Sequence, residues 1–288
     1  MGRATGLSTR AVTRDARVER PCRTRAAPAD GLDRRGAASS SIWNTTVPKY
    51  PPVPDGQLQT APLAPWHRIG LIYRTLKHVA SHGRAPTPRR RAVWRSRAPF
   101  RQAVARLGPA DVAIDAGANV GDFTWPLARR GVEVHAFDPE PYAVEISEHR
   151  FASFPNVTIH RTAVSGTAGE LDLFRAPAFE TDPGKHSKSS SVIATKRNID
   201  PTTAIRVPAI DLGEFIQRCG DVALLKMDIE GAEVDVLEKL LDAGLLGRIP
   251  YVFVETHEDK IPALAEPMAR LRQRMMADGL NHVDLDWA

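Results

Sequence analysis

At 288 residues and 42% hydrophobic content, the chain is long enough to bury one full α/β core, and it lacks the run of about 18 apolar residues needed to span a membrane. Its net charge of +5 conceals a division, because residues 1–107 hold 21 Lys and Arg against 5 Asp and Glu, whereas residues 108–288 hold 18 against 29. Two cysteines, Cys22 and Cys219, are too few for a disulfide framework or a zinc site, and they read as free thiols of a cytoplasmic protein, Cys219 buried at a helix end.

Residues 1–60 are rich in Arg, Ala, Pro, Ser and Thr without periodicity, and are expected to form a disordered basic arm. They contain no apolar stretch of the secretory-signal kind. Clustered Arg suits phosphates, but aromatic residues are few, so nucleic acid is not the expected partner. Residues 61–107 form a separate extension. Trp66, Ile69, Ile72, Tyr73, Leu76, Val79 and Ala80 recur at helical steps between basic residues, which predicts an amphipathic helix closed by Gly83. Its apolar stripe is expected to pack on the following domain or on a second copy of the chain. A basic linker, 86–97, and a short helix, 99–107, lead into the domain at 108–288.

That domain opens with the most informative run of the chain. Val112, Ala113 and Ile114 read as a buried strand, Asp115 closes it, Gly117 and Gly121 bracket a turn, and Phe123, Leu127 and Ala128 begin a helix. The glycines are read as leaving room for a ligand beside the backbone. Asn119 stands where a dinucleotide fingerprint has its middle glycine. Asp115 would repel a pyrophosphate but attract a ligand carrying an amino group and a sulfonium, which describes S-adenosylmethionine. Strand 132–137 then ends in Asp138, where a carboxylate can accept hydrogen bonds from ribose hydroxyls. The pattern continues as helix 140–152, strand 157–161, an alternating stretch 170–174 that departs from the parallel order, and a loop 175–203 expected to be mobile over the site. Strand 205–210 follows, then helix 212–219 capped by Asp211 with Glu214, strand 222–227, an acidic turn 228–231, a helix to 241, strand 250–256, a helix after Pro267 and a late strand near 281–286. Alternation of this kind predicts a Rossmann-like α/β fold, a mostly parallel sheet with helices on both faces. Asp115, Asp138, Asp228 and His257 all fall at carboxyl ends of strands, where such sheets bind ligands.

Five runs in order, Ile-Asp-Ala-Gly-Ala-Asn-Val-Gly (114–121), Ala-Phe-Asp-Pro-Glu-Pro (136–141), Asn156 to Ser165, Leu-Lys-Met-Asp-Ile-Glu-Gly-Ala-Glu (225–233) and Val-Glu-Thr-His (254–257), resemble the FkbM family of S-adenosylmethionine-dependent methyltransferases over about residues 108–257. The resemblance implies a class I methyltransferase fold and an enzyme acting on a hydroxyl of a sugar, glycan or natural product. Many members carry Glu where this chain has Asp138, and either carboxylate can hold a ribose.

Methyl transfer asks a protein to align nucleophile, methyl and sulfur, exclude water and assist proton loss. Gly117, Asn119 and Gly121 would cradle the methionine part with Asp115 near its amino group, Asp138 would take the ribose, and backbone at Thr162 and Ala163 would line the adenine. Lys226 in a central strand needs a carboxylate, which Asp228 or Glu230 can supply. Asp228 or Glu230 is also the candidate base, with His257 facing both. No metal centre is assigned, although Asp228, Glu230 and His257 leave a loosely held Mg²⁺ or Mn²⁺ as an alternative. An NAD-linked oxidoreductase and a non-catalytic cofactor-binding scaffold are the competing readings.

Overall fold

The computed structural model describes residues 97–187, 190–197 and 199–287, so the arm, the amphipathic helix and most of the basic linker lie outside the described residues. The chain runs α1 (Ala98–Arg106), β1 (Val112–Ala116), α2 (Thr124–Ala128), β2 (Glu133–Phe137), α3 (Pro141–Phe151), β3 (Val157–His160), β4 (Ala163–Ser165), β5 (Gly169–Phe174), α4 (Pro183–His186), β6 (Ala204–Asp211), α5 (Leu212–Cys219), β7 (Val222–Met227), α6 (Glu233–Asp242), β8 (Tyr251–Val254), α7 (Ala265–Ala277) and β9 (Val283–Asp284). Six strands form a wholly parallel sheet in the order β3-β2-β1-β7-β8-β9, which is the expected Rossmann-like α/β architecture.

Burial follows from strand alternation, which sends successive side chains to opposite faces. Ile114, Leu225, Met227, Val252 and Val254 point to one face and pack with Ile216 of α5, Leu237 and Leu240 of α6 and Leu271 of α7. Ala113, Leu224, Tyr251 and Phe253 point to the other, where Phe100 and Val104 of α1 meet Leu127 of α2 and Trp287. Asp211 caps α5 as expected, accepting the Glu214 amide at 3.0 Å.

Several expectations need correction. The alternating stretch does not merely leave the parallel order but builds a second sheet, β4-β6-β5, in which β5 and β6 are antiparallel. Helix α2 spans five residues rather than nine, with Pro126 as its third. Helix α7 begins at Ala265, before Pro267, because a proline in the first turn lacks only an N–H that would go unpaired there. Cys219 is buried, but it is disulfide-bonded rather than a free thiol, so the cysteines give no argument for a reducing compartment.

Gly117 corrects a reading of another kind. It adopts φ +74°, and a Cβ there would stand 1.7 Å from the backbone carbonyl oxygen of Asp228. The space its side chain would need is filled by the neighbouring turn, not by a ligand. Gly121 likewise lacks a side chain because the ring of Phe151 occupies that position, 2.3 Å from an ideal Cβ. Gly117→Ala should therefore lower folding stability by about 3 kcal/mol or more, combining left-handed strain with overpacking against backbone. Gly244, at φ +65° with nothing within 4 Å, should tolerate alanine at about 1–2 kcal/mol. Equal losses for the two variants in urea unfolding would contradict this account of Gly117.

Candidate active site

The chain builds outward from β1 to β3, then crosses back to place β7 on the other side of β1. The loops leaving β1 and β7 consequently diverge at their carboxyl ends, which is where sheets of this kind open a crevice. A cavity of about 340 Å³ lies there, lined among others by Gly117, Asn119, Asp138, Lys226, Asp228 and Glu255.

Its floor is an ion pair. Asp115 and Lys226 are direct partners across the β1–β7 ladder, and Lys226 Nζ stands 3.1 Å from Asp115 Oδ1. The ammonium also donates to the Gly117 carbonyl at 2.6 Å, while Asp115 Oδ2 accepts the Thr124 hydroxyl at 2.7 Å. Burial works against the charge on Lys226, but Asp115 and then Asp228 outweigh it and hold the group above its ordinary pKa. The lysine's nearest carboxylate is thus Asp115, which the sequence reading did not pair with it, while Asp228, one of the two acids expected, is a longer partner at 3.9 Å. Asp115, expected beside the ligand's amino group, lies fully buried beneath the cavity lining.

Above this floor four amides of the glycine turn, those of Gly117, Ala118, Asn119 and Gly121, are bonded within the protein. Gly117 and Ala118 both donate to the Phe137 carbonyl at 2.9 Å, and Gly121 donates to Ala118 at 2.8 Å. Asn119, held at φ 49°, donates its amide to Asp138 Oδ2 at 2.7 Å, and Glu140 donates its amide to Asp138 Oδ1 at 2.9 Å. Burial raises the Asp138 carboxyl to about 6 against the pull of those two amides. The Asn119 side chain donates to Ser187 at 3.2 Å and leaves Oδ1 buried without a hydrogen bond. Ala163 and Val164 line the cavity, whereas Thr162 turns its hydroxyl to the Pro208 carbonyl at 2.9 Å and, like Gly121, is not in the lining.

The opposite wall is the acidic turn after β7. Asp228 is 26% exposed, and burial first, then the charges of Glu255 and Glu230, raise its carboxyl to about 7 against the opposing pull of Lys226. Glu230 takes a left-handed φ of 57° and pairs with Lys196 at 2.7 Å and His257 Nε2 at 3.0 Å. Although burial opposes its charge, His257 and Lys196 bring the Glu230 carboxyl down to about 2. His257 is fully buried and outside the lining, its Nδ1 2.9 Å from Glu233 Oε1. Asp228, Glu255 and His257 bring two carboxylate oxygens and a ring nitrogen within 4.8 Å of one another, so Glu255 stands where the sequence reading of a metal trio put Glu230.

Five residues of this neighbourhood escaped the sequence reading. Glu140, Glu233 and Glu255 lie inside the three acidic runs already noted, so their types and places were visible although their contacts were not. Arg175, which grips Glu140 through two contacts of 2.8 and 3.0 Å, and Lys196 come from the stretch read as a loop.

The Methyltransferase FkbM domain model matches residues 115–281, more than half of the chain. The chain belongs to the FkbM methyltransferase family. Among solved structures, the 23S rRNA methyltransferase ErmE aligns at 22% identity over 23% of this chain and 28% of its own, with a TM-score of 0.20. Precorrin-6y C5,15-methyltransferase from Geobacter metallireducens aligns at 10% identity over 59% and 68%, with a TM-score of 0.31. A TehB-like SAM-dependent methyltransferase from Corynebacterium glutamicum aligns at 21% over 33% and 45%, with a TM-score of 0.19. The chain thus spans less than half the length of the first and third of these proteins. No curated protein matches it. No helix among the described residues is long and apolar enough to cross a membrane.

In this FkbM methyltransferase the Asp115–Lys226 pair should behave as a buried unit. Lys226→Met leaves Asp115 charged and unpaired, and should cost about 3–5 kcal/mol of stability. Asp115→Asn combined with Lys226→Met should recover part of that loss, measured by denaturant unfolding of both variants. Additive losses would show that the two side chains do not act together.

Proposed function

We propose that the protein is an S-adenosylmethionine-dependent O-methyltransferase whose acceptor is a hydroxyl of a small molecule, such as a sugar, a glycan or a natural product. The observation that carries this reading is the internal use of the glycine-turn amides. A site for a dinucleotide pyrophosphate needs free backbone N–H groups at this turn. Here the amides of Gly117, Ala118, Asn119 and Gly121 are bonded within the protein, and Asp138 stands beside them. The lining that remains is rich in carboxylates and suits a cationic ligand, which disfavours the NAD-linked reading.

The residues fit such a cofactor. Asp138 holds one amide on each oxygen and keeps lone pairs for ribose hydroxyls. Asn119 Oδ1, buried without a partner, suits the amino group of the methionine part. Ala163, Val164, Phe137 and Leu173 provide an apolar wall for the adenine. When bound, S-adenosylmethionine supplies a methyl carbon activated by its sulfonium. Among the acids facing the cavity, Glu230 is neutralised by Lys196 and His257, whereas both Asp228 oxygens stand more than 3.5 Å from any cation. Asp228 is accordingly the group that takes the proton from the acceptor hydroxyl, and its carboxyl at about 7 matches that task at neutral pH. A cofactor-binding scaffold without chemistry would have no use for such a poised acid.

Calorimetric titration should give micromolar binding of S-adenosylhomocysteine and no heat with NAD; the reverse, in folded protein, would end this reading. Because the base must be ionised, kcat should rise with pH through about 7 and then level off. Asp228→Asn should abolish that limb and lower kcat by about 10²–10⁴-fold with cofactor affinity nearly unchanged. A fully active variant would move the proton acceptor elsewhere in the turn.

A further inference from the structure

Asp228 and Glu255 are each the first residue past a strand, β7 and β8, and the ladder makes Met227 and Val254 partners. The two carboxylates are thereby set side by side, and both residues line the cavity. His257 lies two positions beyond Glu255 and is fully buried behind them. One oxygen of each acid and a ring nitrogen of the histidine come within 4.8 Å of one another.

Acids gathered at a sheet end are ordinary, and the histidine is what gives the cluster meaning. Glu233 accepts the amides of Ile229 at 3.1 Å and Gly231 at 2.9 Å, so its contact with His257 Nδ1 at 2.9 Å is donated by the ring. A proton on Nδ1 turns Nε2 toward Asp228 Oδ1 at 3.6 Å and Glu230 Oε2 at 3.0 Å. Nε2 and Asp228 Oδ1 are both buried, and neither has a hydrogen bond among the described residues. Two electron-rich atoms held together out of water call for a cation between them. A carboxylate on one ring nitrogen, with the other nitrogen aimed at acids, is the arrangement that orients a histidine toward a metal.

We propose that Asp228, Glu255 and His257 hold a divalent transition-metal cation, of which Mn²⁺ is the type, and that this ion binds the oxygen of the acceptor hydroxyl beside Asp228. Mixed imidazole and carboxylate donors suit such an ion better than Ca²⁺ or Mg²⁺, which prefer oxygen alone. An octahedral ion with bonds of about 2.1 Å keeps neighbouring donors about 3 Å apart, a little less than the 3.6 Å between Nε2 and Asp228 Oδ1. Glu230 has Lys196 at 2.7 Å as a cation and is not counted among the donors. In the resting site a proton on Nε2 fills the same place, and the ion displaces it. Entry is from the cavity, past Asp228 and Glu255. Two carboxylates balance the ion's charge, so the sulfonium of bound S-adenosylmethionine meets no excess of positive charge.

The inference rests on the methyltransferase reading only for the ion's part in the reaction. There the acceptor oxygen, bound to the ion through a lone pair, gives its proton to the second oxygen of Asp228. It then forms a bond to the methyl carbon as the carbon–sulfur bond breaks, and that electron pair stays on sulfur in S-adenosylhomocysteine.

The test uses the full chain, dialysed against a chelator and titrated with Mn²⁺, the free ion being counted by electron paramagnetic resonance. One equivalent should bind, and its pulsed spectrum should show the nitrogen coupling of an imidazole ligand. His257→Gln should abolish that coupling, and His257→Gln and Glu255→Gln should each weaken binding by about tenfold or more. Zn²⁺ should displace the bound Mn²⁺ and excess Mg²⁺ should not; displacement by both would overturn the choice of a nitrogen-binding ion. Folded protein that binds no Mn²⁺ would overturn the site. So would an ion without nitrogen coupling whose affinity is the same in both variants, which marks an adventitious ion only. Chelation should lower kcat by about 10²-fold or more, and Mn²⁺ should restore it. Undiminished turnover after chelation would overturn the ion's part in the reaction. Mn²⁺ bound by a protein that takes up no S-adenosylhomocysteine would instead end the methyltransferase reading and leave the metal site standing.

Discussion

The salt bridge between Asp115 and Lys226 is the constraint on which the rest of the site depends. It joins the two strands between which the strand order reverses, and it lies where both loops of the cavity begin. Lys226 also binds the Gly117 carbonyl, and the Asp228 amide donates to the Ala116 carbonyl at 3.0 Å, so the loops after β1 and β7 are tied to each other. Gly117 lets them close to contact, because any side chain there would strike the Asp228 carbonyl. The glycine turn and the acidic turn are therefore one rigid unit, and a change in either is transmitted to the other.

That unit sets the electrostatics of the cavity. The lysine beneath it is compensated by Asp115, so it contributes little net positive charge to the lining. Glu230 is compensated by Lys196 and His257, and Glu140 by Arg175. Asp138, Asp228 and Glu255 also face the cavity, and the cationic partners of Asp228, His257 at 3.6 Å and Lys226 at 3.9 Å, stand farther off than those of Glu230 and Glu140. Burial pushes both Asp138 and Asp228 up toward neutrality, helped by the charge of Glu140 at the first and of Glu255 and Glu230 at the second, the response of carboxyl groups held in a space that a positive ligand would relieve.

Much of this was legible in the sequence, and the reason is local. Strand, turn and helix periodicity lies within a few residues, so β1, β2, β7 and the turns that follow them were readable from patterning, as were Asp138 and Asp228 at strand ends. Pairing across the sheet is not local. Asp115 and Lys226 are 111 positions apart, and nothing in the spacing of Lys226 and Asp228 distinguishes the acid two residues away from the one directly across the ladder. The same limit explains Gly117, whose small size looked like room for a ligand because the chain segment that fills the space is equally remote. His257 follows β8, three residues past its last residue Val254, and its enclosure by Glu233 and Glu230 depends on how α6 returns under the turn.

The stretch between β5 and β6 carries the clearest case of long-range contacts overriding composition. Its Pro, Gly, Ser and Lys content reads as a free loop, yet it is anchored at both halves of the cavity. Arg175 grips Glu140 beside Asp138, Asn119 donates to Ser187, and Lys196 reaches Glu230 on the acidic turn. Ile193 packs against Gly231, where its methyl carbon stands 2.8 Å from the place a Cβ would occupy. Each of these ties joins a residue of the inserted segment to a residue of the parallel-sheet framework. The segment is thus a wall of the cavity, set by the same charges that prepare the site, and the three-stranded sheet at its base gives it a firm footing. An acceptor entering beside Asp228 would meet this wall on one side and the acidic turn on the other. Lys196 with the Glu230 carboxylate, Ser191 with the Glu230 carbonyl and Ile193 with Gly231 therefore couple this segment to the turn that carries Asp228, while none of these three ties touches the Asp115–Lys226 floor.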